Sequence, residues 1–179
     1  MYHQKVGESL KQLISDVCDL RVSADMADIL SRLQKMAANP DDIKNALPDF
    51  DDDEVLLYVD DDITVYRIAT TPGIIYPPHE HGMIAISAIY KGTETHVFYD
   101  RDGENVIERS KVRFCSPAIV DMEPSAVHAI CNEDDEPNES LHFYFGDLET
   151  QKRTLWDQNG KNLQQYIHED YLSFSRPFD

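Results

Sequence analysis

The chain has 179 residues, 41% hydrophobic and 28% charged, which suits one globular domain with helical additions and argues against a disordered chain. Its formal net charge of −18 opposes phosphate, and no Lys/Arg cluster offers a basic patch, so nucleic acid and anionic membrane are not expected partners. No apolar run reaches membrane-spanning length, and the N-terminus lacks a basic stretch followed by an apolar core, so no signal peptide is expected. Three cysteines, Cys18, Cys115 and Cys131, form no metal or disulfide spacing, so the expectation is a cytoplasmic protein with reduced thiols.

Residues 1–50 read as a helical N-terminal extension. Leu10, Leu13, Ile14, Val17 and Leu20 recur at spacings of three and four, as do Met26, Ile29, Leu30, Leu33 and Met36. Ser23 is the expected N-cap of the second helix, Asn39-Pro40 its stop, and Asp41 or Asp42 the start of a short third helix ending at Pro48. Nothing polar and convergent sits on the apolar faces, so these helices are expected to cover one side of the domain C-terminal to them. Between Asp49 and Glu54 every residue except Phe50 is acidic. The run lacks the glycine and terminal glutamate of a calcium loop and reads as a solvated connection.

Residues 51–148 change to an extended pattern. Val55–Val59, Ile63–Ile68, Met83–Tyr90 and Thr95–Tyr99 are rich in β-branched and aromatic residues and are separated by Asp-Asp-Asp, Thr-Pro-Gly, Lys-Gly and Asp-Arg-Asp-Gly turns. Further strands are expected near Val112–Cys115, Ala118–Asp121, Ala126–Cys131 and Leu141–Phe145. Many short strands with regular turns predict a mainly β sandwich or barrel. Residues 149–179 form a tail, expected to be helical around Trp156 and again from Leu163 to Tyr171, then extended. Trp156 is its expected packing anchor.

Candidate ligands lie at two places. His79 and His81 are two apart, so on a strand they share a face while Glu80 turns away. Imidazole is the commonest protein ligand for middle and late first-row metals. His128, mid-strand with Asn132 four residues on, is the candidate third ligand. Three histidines can occupy one face of an octahedral ion and leave three positions open. In Ser140-Leu141-His142-Phe143-Tyr144 the serine, histidine and tyrosine share one strand face, with apolar residues on the other. Such a chain of hydroxyl, imidazole and phenol can move protons and hydrogen-bond a polar ligand.

The H-x-H run, His128-x-x-x-Asn132 and the jelly-roll pattern resemble the two motifs of a cupin (jelly-roll, double-stranded β-helix). Ser140-x-His142-x-Tyr144 followed by Gly146-Asp147-Leu148 is similar to the cysteine dioxygenase-like thiol dioxygenase branch. The resemblance spans roughly Val55 to Trp156, and the helical N-terminus suits that branch. It implies one Fe(II) per chain held by His79, His81 and His128, with a small thiol oxidised by O2 to a sulfinic acid. It also implies Ser140, His142 and Tyr144 as an outer triad with the tyrosine hydroxyl near substrate and oxygen. Departures from the family's pattern are equally specific. Ala85 and Ile86 stand where many cupins carry a fourth, glutamate ligand. Three neutral imidazoles would leave ferrous iron its full charge for an anionic thiolate. Ile86 also stands where the mammalian-type enzyme cross-links a cysteine to its tyrosine, so Tyr144 is expected to be unmodified. The strand matching that enzyme's carboxylate-binding arginine, near Val55–Val59, has none. Arg67 and Arg101 are the nearest alternatives, with Arg67 the better candidate, and Met83 and Ile130 are expected to shape the pocket. A homodimer is an open expectation. Two other functions compete: a cupin enzyme with another metal and reaction, and a non-catalytic cupin that binds a small ligand.

Overall fold

The computed structural model describes residues 1–22 and 25–178. The chain opens with α1 (Glu8–Val22), α2 (Met26–Ala37) and α3 (Pro40–Ala46). The expected cap Ser23 lies outside the described residues. The cap seen on α2 is Asp25, whose carboxylate accepts the Asp28 N–H at 3.2 Å. Pro40 takes a first-turn position of α3, where its missing N–H costs nothing, so the helix starts just before the expected aspartates.

The strands follow in the order β1 (Glu54–Val59), β2 (Thr64–Ile68), β3 (Ile74–Ile75), β4 (His79–Glu80), β5 (Ala85–Lys91), β6 (Thr93–Asp102) and β7 (Asn105–Cys115). Then come β8 (Ala118–Met122), β9 (Val127–Cys131), β10 (Glu139–Tyr144), β11 (Thr154–Leu155), β12 (Gln164–Gln165), α4 (His168–Phe174) and β13 (Arg176–Pro177). Every pairing is antiparallel. One sheet runs β1-β2-β10-β5-β8, and the other runs β12-β11-β4-β9-β3-β13 with the long β6–β7 hairpin joined to it through β9.

The helices lie on the outer face of the first sheet. Leu10, Ile14 and Val17 of α1 and Ile29 and Leu33 of α2 form one buried cluster with Leu57, Val65, Ile86, Leu141 and Phe143. Each such side chain removed from water contributes roughly 1.5–3 kcal/mol. That sheet is therefore covered on both sides, which is why β5 reads Ala-Ile-Ser-Ala-Ile-Tyr, buried at every position, rather than as a clean alternation. Its inner face can then hold polar groups away from water. Leu141 and Phe143 of β10 point to the helices; Ser140, His142 and Tyr144 point inward.

The tail departs from expectation at Trp156. The neighbouring residues are extended, not helical, because Leu155 pairs with His79 across β4 and the Trp156 backbone N–H donates to Pro78 O at 3.0 Å. Strand pairing satisfies these backbone groups in place of a helical turn. Trp156 itself is fully buried with Val106 and Val127, and its indole N–H donates to Glu104 O at 2.9 Å. Among the described residues no helix is long and apolar enough to cross a membrane.

Candidate metal centre

The strand ladder brings the three histidines together. His79 of β4 lies opposite His128 of β9, and His81 follows two residues later on the same side. Gly82, at φ +69°, turns the chain directly after His81; a Cβ there would stand 2.5 Å from the Gln151 amide. Ring centroids are 4.6 Å apart for His79 and His128, 4.9 Å for His79 and His81, and 5.1 Å for His81 and His128. The three can each offer one nitrogen within 4.8 Å of the others. Glu80 turns away and pairs with Arg101 and the Thr154 hydroxyl.

All three imidazoles are buried, and burial disfavours their charged form. It pushes His79 down to about 3 and holds His81 and His128 well below the ordinary range. Neutral imidazole is the form that ligates a metal. The hydrogen bonds select the ligating atoms. His79 donates Nδ1–H to Pro77 O at 3.1 Å, and the Nδ1 of His128 faces Nδ1 of His96 at 3.1 Å, so in both rings Nε2 is left for the centre. The Nε2 atoms of His81 and His128 are 2.9 Å apart. Two nitrogens sharing an ion at ~2.1 Å each and at a right angle stand about 3.0 Å apart. His81 Nδ1 is enclosed and has no hydrogen-bond partner among the described residues. These residues fit a divalent metal bound by nitrogen.

The polar face of β10 forms a continuous chain beside this centre. Ser140 Oγ is 3.0 Å from His142 Nε2, and His142 Nδ1 is 3.2 Å from the Tyr144 hydroxyl. The Tyr144 ring stands 4.9 Å from that of His81. Burial lowers His142 to about 4 and pushes the Tyr144 phenol up, so both are neutral over the physiological range.

Sequence reasoning missed two members of this network, Glu94 and His96 of β6. His96 Nε2 is 2.6 Å from Glu94 Oε1, and both side chains are fully buried. The pair shares a strand face by the same two-residue spacing as His79 and His81. Its signal was an acid and an imidazole in a strand whose following residues, Val97 and Phe98, are apolar. Asn132, by contrast, is structural: its amide donates to Thr70 O at 3.0 Å and Glu136 O at 2.9 Å.

A cavity of about 380 Å³ opens over the centre, with His79, His81, His142 and Tyr144 on its floor. That volume is in the range of small-molecule sites. Its roof comes from the tail. Tyr171 stacks on Tyr76 at 5.4 Å and meets His79 edge-on at 5.1 Å, while Arg153 lies over the Tyr166 ring at 3.6 Å. Ile130 lines this cavity, but Arg67 and Met83 do not. Arg67 pairs with Glu139 at 3.3 Å and donates to Asp52 O at 3.1 Å, on the other side of its sheet. Met83 packs behind Tyr144 with Val120, Met122 and Leu148. Arg101 is paired with Glu80 and covers Trp156. Arg153 is thus the arginine that reaches the cavity, and it has no ion-pair partner among the described residues. Glu54, at the rim, is shifted up by burial, with His168 and Arg153 opposing; 36% of its side chain remains accessible, so water screens it. Ile86 points into the helix-facing cluster, and Ala85 is the residue beside Tyr144.

No family model and no curated protein matches the sequence. Solved structures of similar shape include cupins. One is an RmlC-like cupin with a double-stranded β-helix from Methanocaldococcus jannaschii, at 16% identity and a TM-score of 0.46, covering 57% of this chain and 89% of that one. Another is the DMSP lyase of Ruegeria pomeroyi, at 23% identity and TM-score 0.44, covering 57% of this chain and 51% of that one. An oxalate decarboxylase of Bacillus subtilis is similar at 16% identity and TM-score 0.43, over 52% of this chain and 24% of that one. These likenesses concern the fold. The chain is mainly β, with antiparallel sheets and small N-terminal helices. Its three histidines could together hold a metal ion.

Proposed function

We propose that the protein is a mononuclear non-haem iron dioxygenase that converts a small thiol carrying an anionic group to its sulfinic acid. The observation that supports this best is the hydrogen-bonded run Ser140–His142–Tyr144, which ends beside three neutral imidazoles at the floor of the cavity. A binding protein needs no buried path for protons; a reaction that takes up a thiol proton does. His79, His81 and His128 would hold ferrous iron, which supplies the one-electron chemistry that lets ground-state dioxygen react with a thiol. In the overall conversion the S–H bond and the O–O bond break and two S–O bonds form. Sulfur supplies all the electrons that dioxygen takes up, so no external reductant is required.

The chain's own residues bind, orient and exclude water. Tyr144 hydrogen-bonds the reactants at the floor, and His142 and Ser140 hold its hydroxyl in place. Tyr166 and Tyr171 close the roof and keep bulk water from the centre. Arg153 would clamp an anionic group such as a carboxylate. Its guanidinium lines the cavity and has no ion-pair partner among the described residues, so a substrate carboxylate could pair with it.

The test is oxygen consumption and sulfinate detection by mass for the iron-loaded protein, over thiols of different length and charge. Turnover is expected with a small anionic thiol. No oxygen uptake with any thiol while the metal site is shown to be full would refute the assignment.

A further inference from the structure

The buried carboxylate of Glu94 touches both branches of the site, yet neither the ligand set nor the serine–histidine–tyrosine run needs it to exist. Every lone-pair position it offers is filled. Oε1 accepts from His96 Nε2 at 2.6 Å and Ser87 Oγ at 3.1 Å; Oε2 accepts from Asn138 Nδ2 and Ser140 Oγ, both at 3.2 Å. The residue is fully buried. Burial alone would raise its pKa, but the hydrogen bond from His96 leads the opposing effects and the carboxyl is held at about 2.

We infer that Glu94 is the positioning residue that sets the direction of the hydrogen bonds along the His96–His128 and serine–His142–Tyr144 branches, leaving Tyr144 to face the cavity as an acceptor. The direction of each proton is fixed outward from the carboxylate, which can only accept. On the first branch His96 must donate from Nε2; a neutral ring then has a bare Nδ1, which takes the proton of His128 Nδ1 at 3.1 Å. His128 is thereby fixed with a bare Nε2 turned to the centre. On the second branch the hydroxyl protons of Ser87 and Ser140 both go to the carboxylate, because a hydrogen bond to an anion is about twice as strong as one between neutral groups. Their oxygens then have only lone pairs to offer His142 Nε2, at 3.1 and 3.0 Å, so that nitrogen carries the proton. His142 Nδ1 is bare and accepts the Tyr144 O–H at 3.2 Å. The free face of the Tyr144 oxygen therefore presents lone pairs, suited to a donor such as a thiol S–H or an ammonium. If one serine proton went to His142 instead, the order would reverse and Tyr144 would donate into the cavity.

Only the His128 branch rests on the metal-site reading; the His142 branch stands on the chain alone. The test is imidazole nitrogen NMR of the 15N-histidine-labelled full chain, metal-free and loaded with zinc as a diamagnetic probe. Expected are the Nε2–H form at His142 in both states and, with zinc, Nδ1–H at His128 and Nε2–H at His96. A Nδ1–H form at His142 overturns the inference whether or not zinc binds. Glu94→Gln removes the anion and puts an amide donor among donors, so His142 should lose its single tautomer and zinc affinity should fall about tenfold or more. Unchanged spectra and affinity in that variant overturn the inference; Glu94→Asp, which keeps the charge, should restore the wild-type tautomer. Absence of oxygenase activity would leave these signals in place, so the two readings fail separately.

Discussion

Replacing Arg153 by glutamine tests the substrate assignment most directly. The change removes the charge while keeping a polar side chain of similar length beside Tyr166. An ion pair at ~4 Å with an effective dielectric near 20 would give about 4 kcal/mol. The side chain is only half-buried, so water lowers that figure, and a single charge-assisted hydrogen bond is worth about 1.5–3 kcal/mol. A loss of about 2 kcal/mol is expected, which is roughly thirtyfold. It should fall on KM, because an anchor remote from the sulfur binds ground and transition states alike. The assay is initial oxygen uptake against concentration for an anionic thiol and for an uncharged thiol of equal length. The variant should lose about thirtyfold in kcat/KM on the first and less than threefold on the second. Equal losses on both, or no loss on the anionic thiol, would refute the role of Arg153 as anion anchor.

Removing a ligand should empty the centre without unfolding the barrel: His128→Ala is expected to lower iron content from one per chain to a small fraction by elemental analysis, with the β-type circular dichroism kept. The pH dependence of the metal-free protein follows from the buried rings. His142 at about 4 and His79 at about 3 lie below the ordinary value of 6.5, so the unfolded chain binds protons first as pH falls. Stability should be level above pH 6.5 with respect to these groups and fall by about 1.4 kcal/mol per pH unit for each between 6.5 and 4, read by urea unfolding. A flat profile there would mean the rings are not buried neutral. Trp156→Ala should cost about 3–5 kcal/mol of stability by the same unfolding measurement, since the indole is fully buried and its N–H bond to Glu104 is lost.

Much of the barrel was legible because period-two patterns and turn residues act locally. The strands at Val55–Val59, Ile63–Ile68, Ala118–Asp121 and Leu141–Phe145 all fall within a residue or two of those observed. The β6–β7 hairpin is longer than its local pattern announces. Its outer half carries charged residues such as Arg101, Glu108 and Arg109, and pairing across the hairpin holds it extended regardless of composition. The extended backbone at Trp156 escapes the local pattern for a related reason: its partners are Pro78 and His79, some 75 residues earlier.

Taken alone, the sequence determined the chemical kinds and their faces. Spacing of two put His79 beside His81, and Ser140, His142 and Tyr144 along one line, because a strand's side chains alternate whatever it packs against. Tertiary structure decided which lines meet. The register His79↔His128 assembles the three imidazoles, and β6 lies beside β9 so that Glu94 and His96 back His128 and the β10 run. It also decided which arginine reaches the cavity. Arg67 had the better place in the chain, but its strand turns it to Glu139, and Arg153 reaches the cavity because the tail folds back over the barrel. Facing is set by bonds within a few residues; convergence is set by pairings between strands far apart in the chain, whose partners only the folded sheet selects.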